Sequence, residues 1–301
     1  VLSLLEAMDS CSGALGDPWL DKLPGIVAGA FLRKYIAERF VSTLGGEVHS
    51  YSEHNGLSLH FLPQEDQSSK KGCMVFVHGG GFLGGAPSQF YPYAKEVSRR
   101  YGISTACCEV SCLLTHPLSK VPFDSIDDAQ RCVRYLQENA DKMGIDREKI
   151  VLAGASSGGH TAAMAALREN LGLAGLVLFN PVLDLEFTQR FSDRRLATWL
   201  GSLALRWRYG EQQLRAGSPI HRVRQLSQPT LILHGTADHL VPIEEVQGFQ
   251  RGMEKTGSDC KLVTFPGEGH FFFNWRVSPV NFAHCVGLLG DFLKGVGVLN
   301  G

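Results

Sequence analysis

A Gly-x-Ser-x-Gly pattern at residues 154–158 is the clearest place in this chain for nucleophilic chemistry. It follows the apolar run Lys-Ile-Val-Leu-Ala and precedes a stretch of small residues, which predicts a strand, a sharp turn and a helix. A strained turn with small flanking residues lifts the serine hydroxyl above the end of the strand. Ser156 is therefore the candidate nucleophile, whereas Ser157 is a poor alternative because it lies beyond the apex. Taken alone, the pattern also fits an ordinary glycine-rich turn.

A run of three glycines indicates a place where an oxyanion could be held. The sequence His-Gly-Gly-Gly-Phe at 78–82 follows another apolar run. Glycines there let backbone N–H groups approach a substrate oxygen without interference from side chains. We expect the N–H groups of Gly80, Gly81 and Ser157 to be the donors, and His78 to be structural. On its own, this run also fits a flexible glycine turn.

Two later loops supply an acid and a base at the ends of predicted strands. Asp238 follows the run Pro-Thr-Leu-Ile-Leu-His, and His270 follows Cys-Lys-Leu-Val-Thr-Phe. The carboxyl ends of strands in open α/β sheets are where sites form. A carboxylate can orient an imidazole, and the imidazole can take the proton of a serine hydroxyl. Asp238 and His270 are therefore the candidate acid and general base.

Each of these two assignments has competitors. An Asp in a Gly-Thr-Ala-Asp turn is often only an Asx-turn residue, and Glu268 and Glu244 are the nearest substitutes for the acid. Other histidines lack the strand-end setting and default to surface or packing roles; they are His49, His54, His60, His116, His160, His221 and His284. The four features taken together favour the catalytic interpretation.

Strand-like and helix-like runs alternate along most of the chain and predict a sheet covered on both faces. The predicted strands are 47–52, 57–62, 73–77, 103–110, 149–154, 175–180, 229–234 and 260–265. The first two are joined through Asn55-Gly56, a hairpin signal that predicts an antiparallel start. Predicted helices occupy about 88–101, 124–143, 158–170, 243–255 and 279–294.

Two segments fall outside this alternation. Residues 1–45 carry apolar residues at helical spacing and predict an N-terminal helical cap segment before a catalytic domain at 46–301. The connection at 181–228 is much longer than the usual α/β loop of about 2–6 residues and is rich in aromatics, which favours a lid insertion. An extra helical pair packed on the sheet explains the same aromatics equally well.

Composition excludes several classes of partner. The 29 Lys and Arg nearly balance the 30 Asp and Glu, so no net field draws the chain to nucleic acid or to an anionic membrane. The 8 cysteines are sparse, lie partly in apolar runs and lack metal or redox spacing, so we expect buried thiols and no structural metal. With no leader or membrane span recognisable, these features favour a cytoplasmic location.

The motifs resemble those of the α/β-hydrolase superfamily across residues 47–301. The sequences at 78–82 and 154–159 are similar to hormone-sensitive-lipase-type esterases and to acetyl or feruloyl xylan esterases. Residues 218–242 resemble a related branch in which the acid follows a His-Gly-x-x-Asp pattern, which supports Asp238. The resemblance implies an α/β-hydrolase fold: an eight-stranded mostly parallel sheet, helices on both faces and a small helical cap. The chain order Ser156, Asp238, His270 is that of this superfamily.

The sequence thus predicts a serine esterase that cleaves short-acyl esters through an acyl-enzyme and needs no cofactor. The same triad would serve an acyltransferase, an amidase or a thioesterase, and a ligand-binding pseudoenzyme of the same fold is a further alternative. Position alone makes Phe82, Trp199 and Trp207 candidates for the substrate pocket. The substrate is expected to be a small-molecule or carbohydrate ester, with no nucleic-acid partner.

Overall fold

The computed structural model describes residues 41–52, 56–66, 68–186, 208–223 and 226–299. Its strands are β1 (Glu47–Ser52), β2 (Leu57–Leu62), β3 (Lys71–Val77), β4 (Ser104–Cys108), β5 (Ile145–Ala155), β6 (Gly175–Phe179), β7 (Thr230–Gly235) and β8 (Cys260–Phe265). Its helices are α1 (Tyr91–Tyr101), α2 (Phe123–Glu138), α3 (Ser157–Arg168), α4 (Ile243–Lys255) and α5 (Pro279–Gly295). Short 3-10 helices occupy Pro87–Phe90 and Pro219–His221, and residues 208–216 are also helical.

The strands form one 8-stranded sheet in the order β1-β2-β4-β3-β5-β6-β7-β8. β2 is antiparallel to both β1 and β4, and every other neighbouring pair is parallel. This confirms the predicted eight-stranded, mostly parallel sheet with an antiparallel start. Because β5 to β8 are parallel neighbours, their carboxyl ends lie at one edge of the sheet.

Alternate residues of the central strands point to opposite faces of the sheet and pack into two separate cores. In β3, Val75 packs on one face, whereas Met74 and Phe76 pack on the other. The first face is covered by α2, α3 and α4 and the second by α1 and α5, as the core clusters show. Because both faces are covered there, β3, β6, β7 and residues 150–155 of β5 are buried at almost every position. The prediction of helices on both faces is confirmed.

Several element boundaries differ from the sequence prediction. β5 begins at Ile145 because that residue pairs with Lys71 of β3, ahead of the apolar run. β4 ends at Cys108, and the carboxylate of Glu109 then accepts hydrogen bonds from the backbone N–H and the hydroxyl of Ser58. α2 ends at Glu138 and not at 143. Polar pairing between neighbouring strands is invisible to a pattern of apolar residues.

The predicted cap and lid lie mostly outside the described residues. Residues 1–40 and 187–207 are not described, so the cap at 1–45 and the lid at 181–228 stay proposals for this chain. Within the described part, Tyr209 packs edge-on against Phe123 at 5.2 Å between ring centroids, the packing role expected of an aromatic at helical spacing. No helix of the described ranges is long and apolar enough to cross a membrane.

A buried carboxyl ties α4 to the segment that follows β6. Glu245, only 3% exposed, accepts hydrogen bonds from the backbone N–H groups of Leu183 and Asp184. Burial raises the pKa of Glu245 to about 8, and the nearby carboxyls of Asp184 and Asp238 act in the same direction against those two hydrogen bonds. A neutral side chain with an accepting oxygen suits this site. The two hydrogen bonds from Leu183 and Asp184, here called the clamp, should therefore persist when the side chain carries no charge.

Replacing Glu245 by Gln tests this clamp. The carboxyl has a folded-state pKa of about 8 against an ordinary value of 4.5, so its contribution is fully present below about pH 4.5 and is lost as the pH rises through about 8. The free energy of unfolding of the wild type should therefore fall relative to Glu245→Gln over this range, by at most about 1.4 kcal/mol per pH unit. Urea denaturation at several pH values measures it.

The matched control is Glu244→Gln, since Glu244 is the exposed neighbour of Glu245 on the same helix turn. Because Leu183 and Asp184 donate to Glu245 and not to Glu244, the fall in the free energy of unfolding between about pH 4.5 and 8 should persist in this variant. If the difference in the free energy of unfolding between Glu245→Gln and the wild type did not change with pH, Glu245 would not be a carboxyl with a raised pKa.

Two glycines of α5 provide a test of the packing between α5 and α1. A Cβ at Gly290 would overlap the ring of Tyr101, which is held in place because its hydroxyl donates to the carbonyl of Val286 at 2.7 Å. A Cβ at Gly287 would meet nothing within 4 Å. Gly290→Ala should lower the free energy of unfolding by about 1–3 kcal/mol through overpacking. Gly287→Ala should leave it unchanged or raise it by up to about 1 kcal/mol through helix propensity.

Thermal unfolding of the two alanine variants side by side measures this difference. Equal melting temperatures would contradict the described contact between α5 and α1.

Candidate active site

The turn between β5 and α3 holds Ser156 in an unusual backbone conformation. Its φ is 54° and its ψ is −120°, a region that costs a non-glycine residue about 1–3 kcal/mol. The backbone N–H of Ser156 donates to the carbonyl of Phe179 at 2.9 Å, and its carbonyl accepts from His160 at 3.1 Å and Val182 at 3.2 Å. The surrounding backbone thus fixes the strained turn and leaves the serine side chain half-buried.

The glycines of this turn are required by close backbone approach. A Cβ at Gly154 would overlap the carbonyl oxygen of Gly158, and a Cβ at Gly158 would overlap the carbonyl oxygens of Val77 and His78. The spacing of the Gly-x-Ser-x-Gly pattern is therefore explained by contacts within the turn and with the end of β3.

Ser156, His270 and Asp238 are hydrogen-bonded in series. Nε2 of His270 lies 3.0 Å from Oγ of Ser156, and Nδ1 lies 2.7 Å from Oδ2 of Asp238. An ionised carboxylate only accepts, so Nδ1 carries the ring hydrogen and Nε2 is left to accept from the serine hydroxyl. Asp238 and His270 are buried, at 6% and 8% exposed. This arrangement can remove a proton from Ser156.

The carboxylate of Asp238 is held by more than the imidazole. Its Oδ1 accepts hydrogen bonds from the backbone N–H groups of Leu240 at 2.8 Å and Val241 at 2.9 Å. Burial by itself raises the pKa of Asp238, but the hydrogen bond and charge of His270, together with the Val241 N–H and His234, outweigh it and lower the pKa. Asp238 therefore stays ionised although it is buried.

His234, at the end of β7, is a second imidazole beside this carboxylate. Its Nε2 lies 3.6 Å from Oδ2 of Asp238 and donates to the carbonyl of Val241 at 2.9 Å. Burial lowers the pKa of His234 in spite of the neighbouring carboxylate. A neutral His234 thus supports the loop that carries Asp238 through its hydrogen bond to Val241. It forms no ion pair with Asp238, so the carboxylate remains available to His270. His234 is the histidine of the His-Gly-x-x-Asp pattern at 234–238, but that pattern marks the acid and does not by itself indicate a supporting role for the histidine.

The glycine loop after β3 has the backbone conformation that only glycine adopts easily. Gly80 has φ 130° and Gly81 φ 62°, and a Cβ at Gly80 would overlap the carbonyl oxygen of Gly84. Among the described residues, the N–H groups of Gly80, Gly81 and Ser157 have no hydrogen-bond partner. They are available to hold an oxyanion, as the sequence predicts.

His78 lies behind the glycine loop. It is 2% exposed, its Nδ1 donates to the carbonyl of Gly79 at 3.1 Å, and its Nε2 accepts from the N–H of Val110 at 3.4 Å. Burial lowers the pKa of His78 against the effects of Gly79 and Glu109, which favours the neutral ring. These contacts fit the structural role expected of it.

The predicted pocket residues and the alternative acids do not all lie at this site. Phe82 is 9% exposed and packs edge-on against His160 at 5.2 Å between centroids, so it lies mainly in the core behind the loop. Trp199 and Trp207 lie outside the described residues. The carboxylate that contacts His270 belongs to Asp238, so neither Glu268 nor Glu244 takes its place.

One group of side chains in the described ranges could hold a metal ion. Ligand atoms of Asp184, Glu186 and His221 lie within 4.8 Å of one another. Glu186 is already paired with His221 at 3.3 Å and with Arg215 at 3.4 Å. Two of the three side chains are thus already engaged with each other.

Solved structures of esterases share this architecture. The butyrate-bound Est2 esterase of Thermogutta terrifontis is 30% identical, with a TM-score of 0.72, over 85% of this chain and 95% of that chain. The same organism's esterase 2, phosphonylated by sarin, matches with a TM-score of 0.74 at 30% identity, over 85% of this chain and 97% of that one. Both structures are of esterase 2 of this organism, which is similar to this chain in fold and in sequence.

Curated relatives are more distant and longer. Esterase LipC of Mycobacterium tuberculosis is 25% identical over 85% of this chain and 64% of its own length. The isoprenylcysteine alpha-carbonyl methylesterase ICME of Arabidopsis thaliana is 24% identical over 74% of this chain and 55% of its own. The chain thus spans less than two thirds of these relatives. A family model described as alpha/beta hydrolase fold matches residues 74–274, and this chain belongs to that family, with esterases of the hormone-sensitive-lipase-like type among its relatives.

Proposed function

We propose that this chain is a serine carboxylester hydrolase that cleaves short-acyl esters through an acyl-enzyme. Ser156 is the nucleophile, His270 the general base and Asp238 the residue that orients the base. The observation that carries the proposal is the series of hydrogen bonds from Ser156 Oγ through His270 to Asp238, at 3.0 and 2.7 Å.

In the first step, Ser156 Oγ attacks the acyl carbon of the ester while its proton passes to Nε2 of His270. The ring then carries a positive charge, which the ionised Asp238 balances. The negative charge on the former carbonyl oxygen is taken by the N–H groups of Gly80, Gly81 and Ser157. When the tetrahedral intermediate collapses, the ester C–O bond breaks and the alcohol leaves with the proton from His270.

In the second step, water replaces the alcohol. His270 takes a proton from a water molecule while the oxygen of that water attacks the acyl carbon. The bond from that carbon to Ser156 Oγ then breaks. The carboxylic acid is released, and the serine recovers its proton from the ring. No oxidant, reductant or cofactor enters either step.

The comparisons favour a short acyl group. Structures of the Thermogutta esterase carry butyrate and propionate, and an ethyl acetate hydrolase of Pseudomonas putida is 28% identical over 71% of this chain. The alcohol part of the substrate is a small-molecule or a carbohydrate alcohol. The names of the related proteins describe ester hydrolysis. They therefore favour ester hydrolysis over amide cleavage, thioester cleavage and acyl transfer for this chain.

The cysteines support a reducing compartment such as the cytoplasm. Those of the described ranges are all free, and six of them are buried. Burial raises the pKa of several of these thiols, including Cys112 to about 12, so they stay protonated and unreactive.

A panel of p-nitrophenyl esters from acetate to palmitate tests the proposed substrate class. We expect kcat/KM to be highest for acetate to butyrate and to fall for longer chains, with Ser156→Ala losing turnover of all of them. A maximum at palmitate would contradict the short-acyl proposal, and no turnover of any ester by the wild type would contradict the esterase proposal.

Asp238→Asn tests the role of the acid. The amide cannot hold the ring in the required tautomer, so kcat should fall by as much as about 10⁴-fold, as such changes do in related triads. The control is Glu268→Gln, which removes the nearest alternative acid and should leave kcat unchanged. If Glu268→Gln lost activity and Asp238→Asn kept it, the acid would be assigned to the wrong residue.

A further inference from the structure

A residue that the sequence did not single out lies against the ring of the proposed base. Asn180 follows β6 directly and is fully buried, at 0% exposed. Its Nδ2 lies 3.0 Å from Nδ1 and 2.8 Å from Nε2 of His270. A single atom within hydrogen-bond distance of both ring nitrogens must lie against the part of the ring between them.

The backbone of Asn180 is fixed by the same contacts that hold the nucleophile. Its N–H donates to the carbonyl of Leu233 at 2.8 Å. The preceding carbonyl, of Phe179, accepts from Ser156, and the N–H of Val182 donates to Ser156. Asn180 is therefore placed by β5 on one side and β7 on the other.

The backbone conformation at position 180 is one that asparagine adopts more easily than most other residues. Its φ is 36°, in the left-handed region that Asn tolerates better than most residues with a side chain. An unusual backbone angle at a fully buried position beside the base is maintained only where the surroundings support it.

Neither ring nitrogen has a hydrogen bond to spare for the amide. Nδ1 donates to Asp238, and Nε2 accepts from Ser156. The amide of Asn180 therefore acts on the ring through its dipole. The sign of that effect depends on which end of the amide faces the ring.

The charge on the ring decides which end is favourable. When His270 takes the proton of Ser156, the ring becomes positive, and a carbonyl oxygen against it is stabilising whereas an NH₂ group is not. Oδ1 of Asn180 is buried and has no hydrogen-bond partner among the described residues. The two ends of the amide have the same shape. A half-turn brings Oδ1 to the ring in place of Nδ2, whose contacts among the described residues are those with the two ring nitrogens.

We propose that Asn180 is a positioning residue that turns its side-chain carbonyl oxygen toward His270 and stabilises the ring when it is protonated. The proposal rests on the proposed function only in naming His270 as the base. Two further titratable groups, His234 and Glu245, interact electrostatically with Asp238, and no hydrogen bond of the described residues joins either of them to the ring of His270.

Two variants that remove the amide have opposite structural side effects. Asn180→Gly relieves the left-handed backbone but leaves a space beside the ring. Asn180→Leu fills the space but keeps the backbone strain. A change shared by both variants therefore reports the loss of the amide and not a packing defect or strain.

The primary readout is ¹⁵N NMR of the His270 ring across a pH series, which requires no turnover. In both variants we expect the ring to take up its proton at a pH lower than in the wild type by roughly half a unit to one unit, a threefold to tenfold change in the equilibrium. The second readout is hydrolysis of p-nitrophenyl butyrate. The acidic limb of the kcat/KM profile should move to lower pH, and kcat should fall about tenfold with KM unchanged, because Asn180 contacts the base and not the substrate.

The outcomes separate this inference from the proposed function. A ring that protonates at unchanged or higher pH in a folded variant would overturn the role of Asn180, because it would mean that the NH₂ group faces the ring or that the amide has no effect. If one of the two variants fails to fold, Asn180→Ala takes its place in the comparison. Failure of the wild type to hydrolyse any ester would instead count against the proposed function, and the NMR result would still stand.

Discussion

The strained turn at Ser156 depends on backbone hydrogen bonds from the neighbouring strand segment. A residue with φ 54° would relax if nothing opposed it, yet its N–H and its carbonyl are both engaged, by Phe179 and by Val182. The contacts of Gly154 with Gly158, and of Gly158 with the end of β3, leave no room for a side chain at either glycine. The position of the hydroxyl is thus a consequence of how β3, β5 and β6 pack side by side.

The same parallel arrangement gathers the rest of the site. Ser156 follows β5, Asn180 follows β6, Asp238 follows β7 and His270 follows β8, and these four strands are consecutive neighbours in the sheet. Each strand therefore contributes one polar residue at its carboxyl end, in sheet order. Buried charge at this edge is tolerated because Asp238 is fully hydrogen-bonded, by two backbone N–H groups and by His270.

Much of the fold and the central residues of the site could be predicted because they depend on local patterns. Apolar runs located the strands to within a few residues, and the glycines at 79–81 and around Ser156 marked turns that other residues cannot adopt. Asp238 is instructive, since its contacts fit both interpretations of it. Its Oδ1 closes an Asx-type turn while its Oδ2 contacts His270.

The unpredicted residues act through tertiary contacts. Glu245 contacts residues 61 and 62 positions away, and Asn180 contacts a ring 90 positions away. Neither residue stands in a pattern of turn or strand that marks its role. Their parts follow from which strands become neighbours, and a single sequence does not state that order. The start of β5 at Ile145 was missed for the same reason, since it depends on pairing with Lys71.

We propose that Ser156 attacks an acyl or phosphonyl centre because His270 and Asp238 activate it. Labelling the intact chain with a fluorophosphonate, followed by peptide mass spectrometry, tests it most directly. We predict one adduct, on the peptide that contains Ser156, formed much more slowly in His270→Ala and absent in Ser156→Ala. An adduct on another serine, or a rate of labelling unaffected by His270→Ala, would contradict the account.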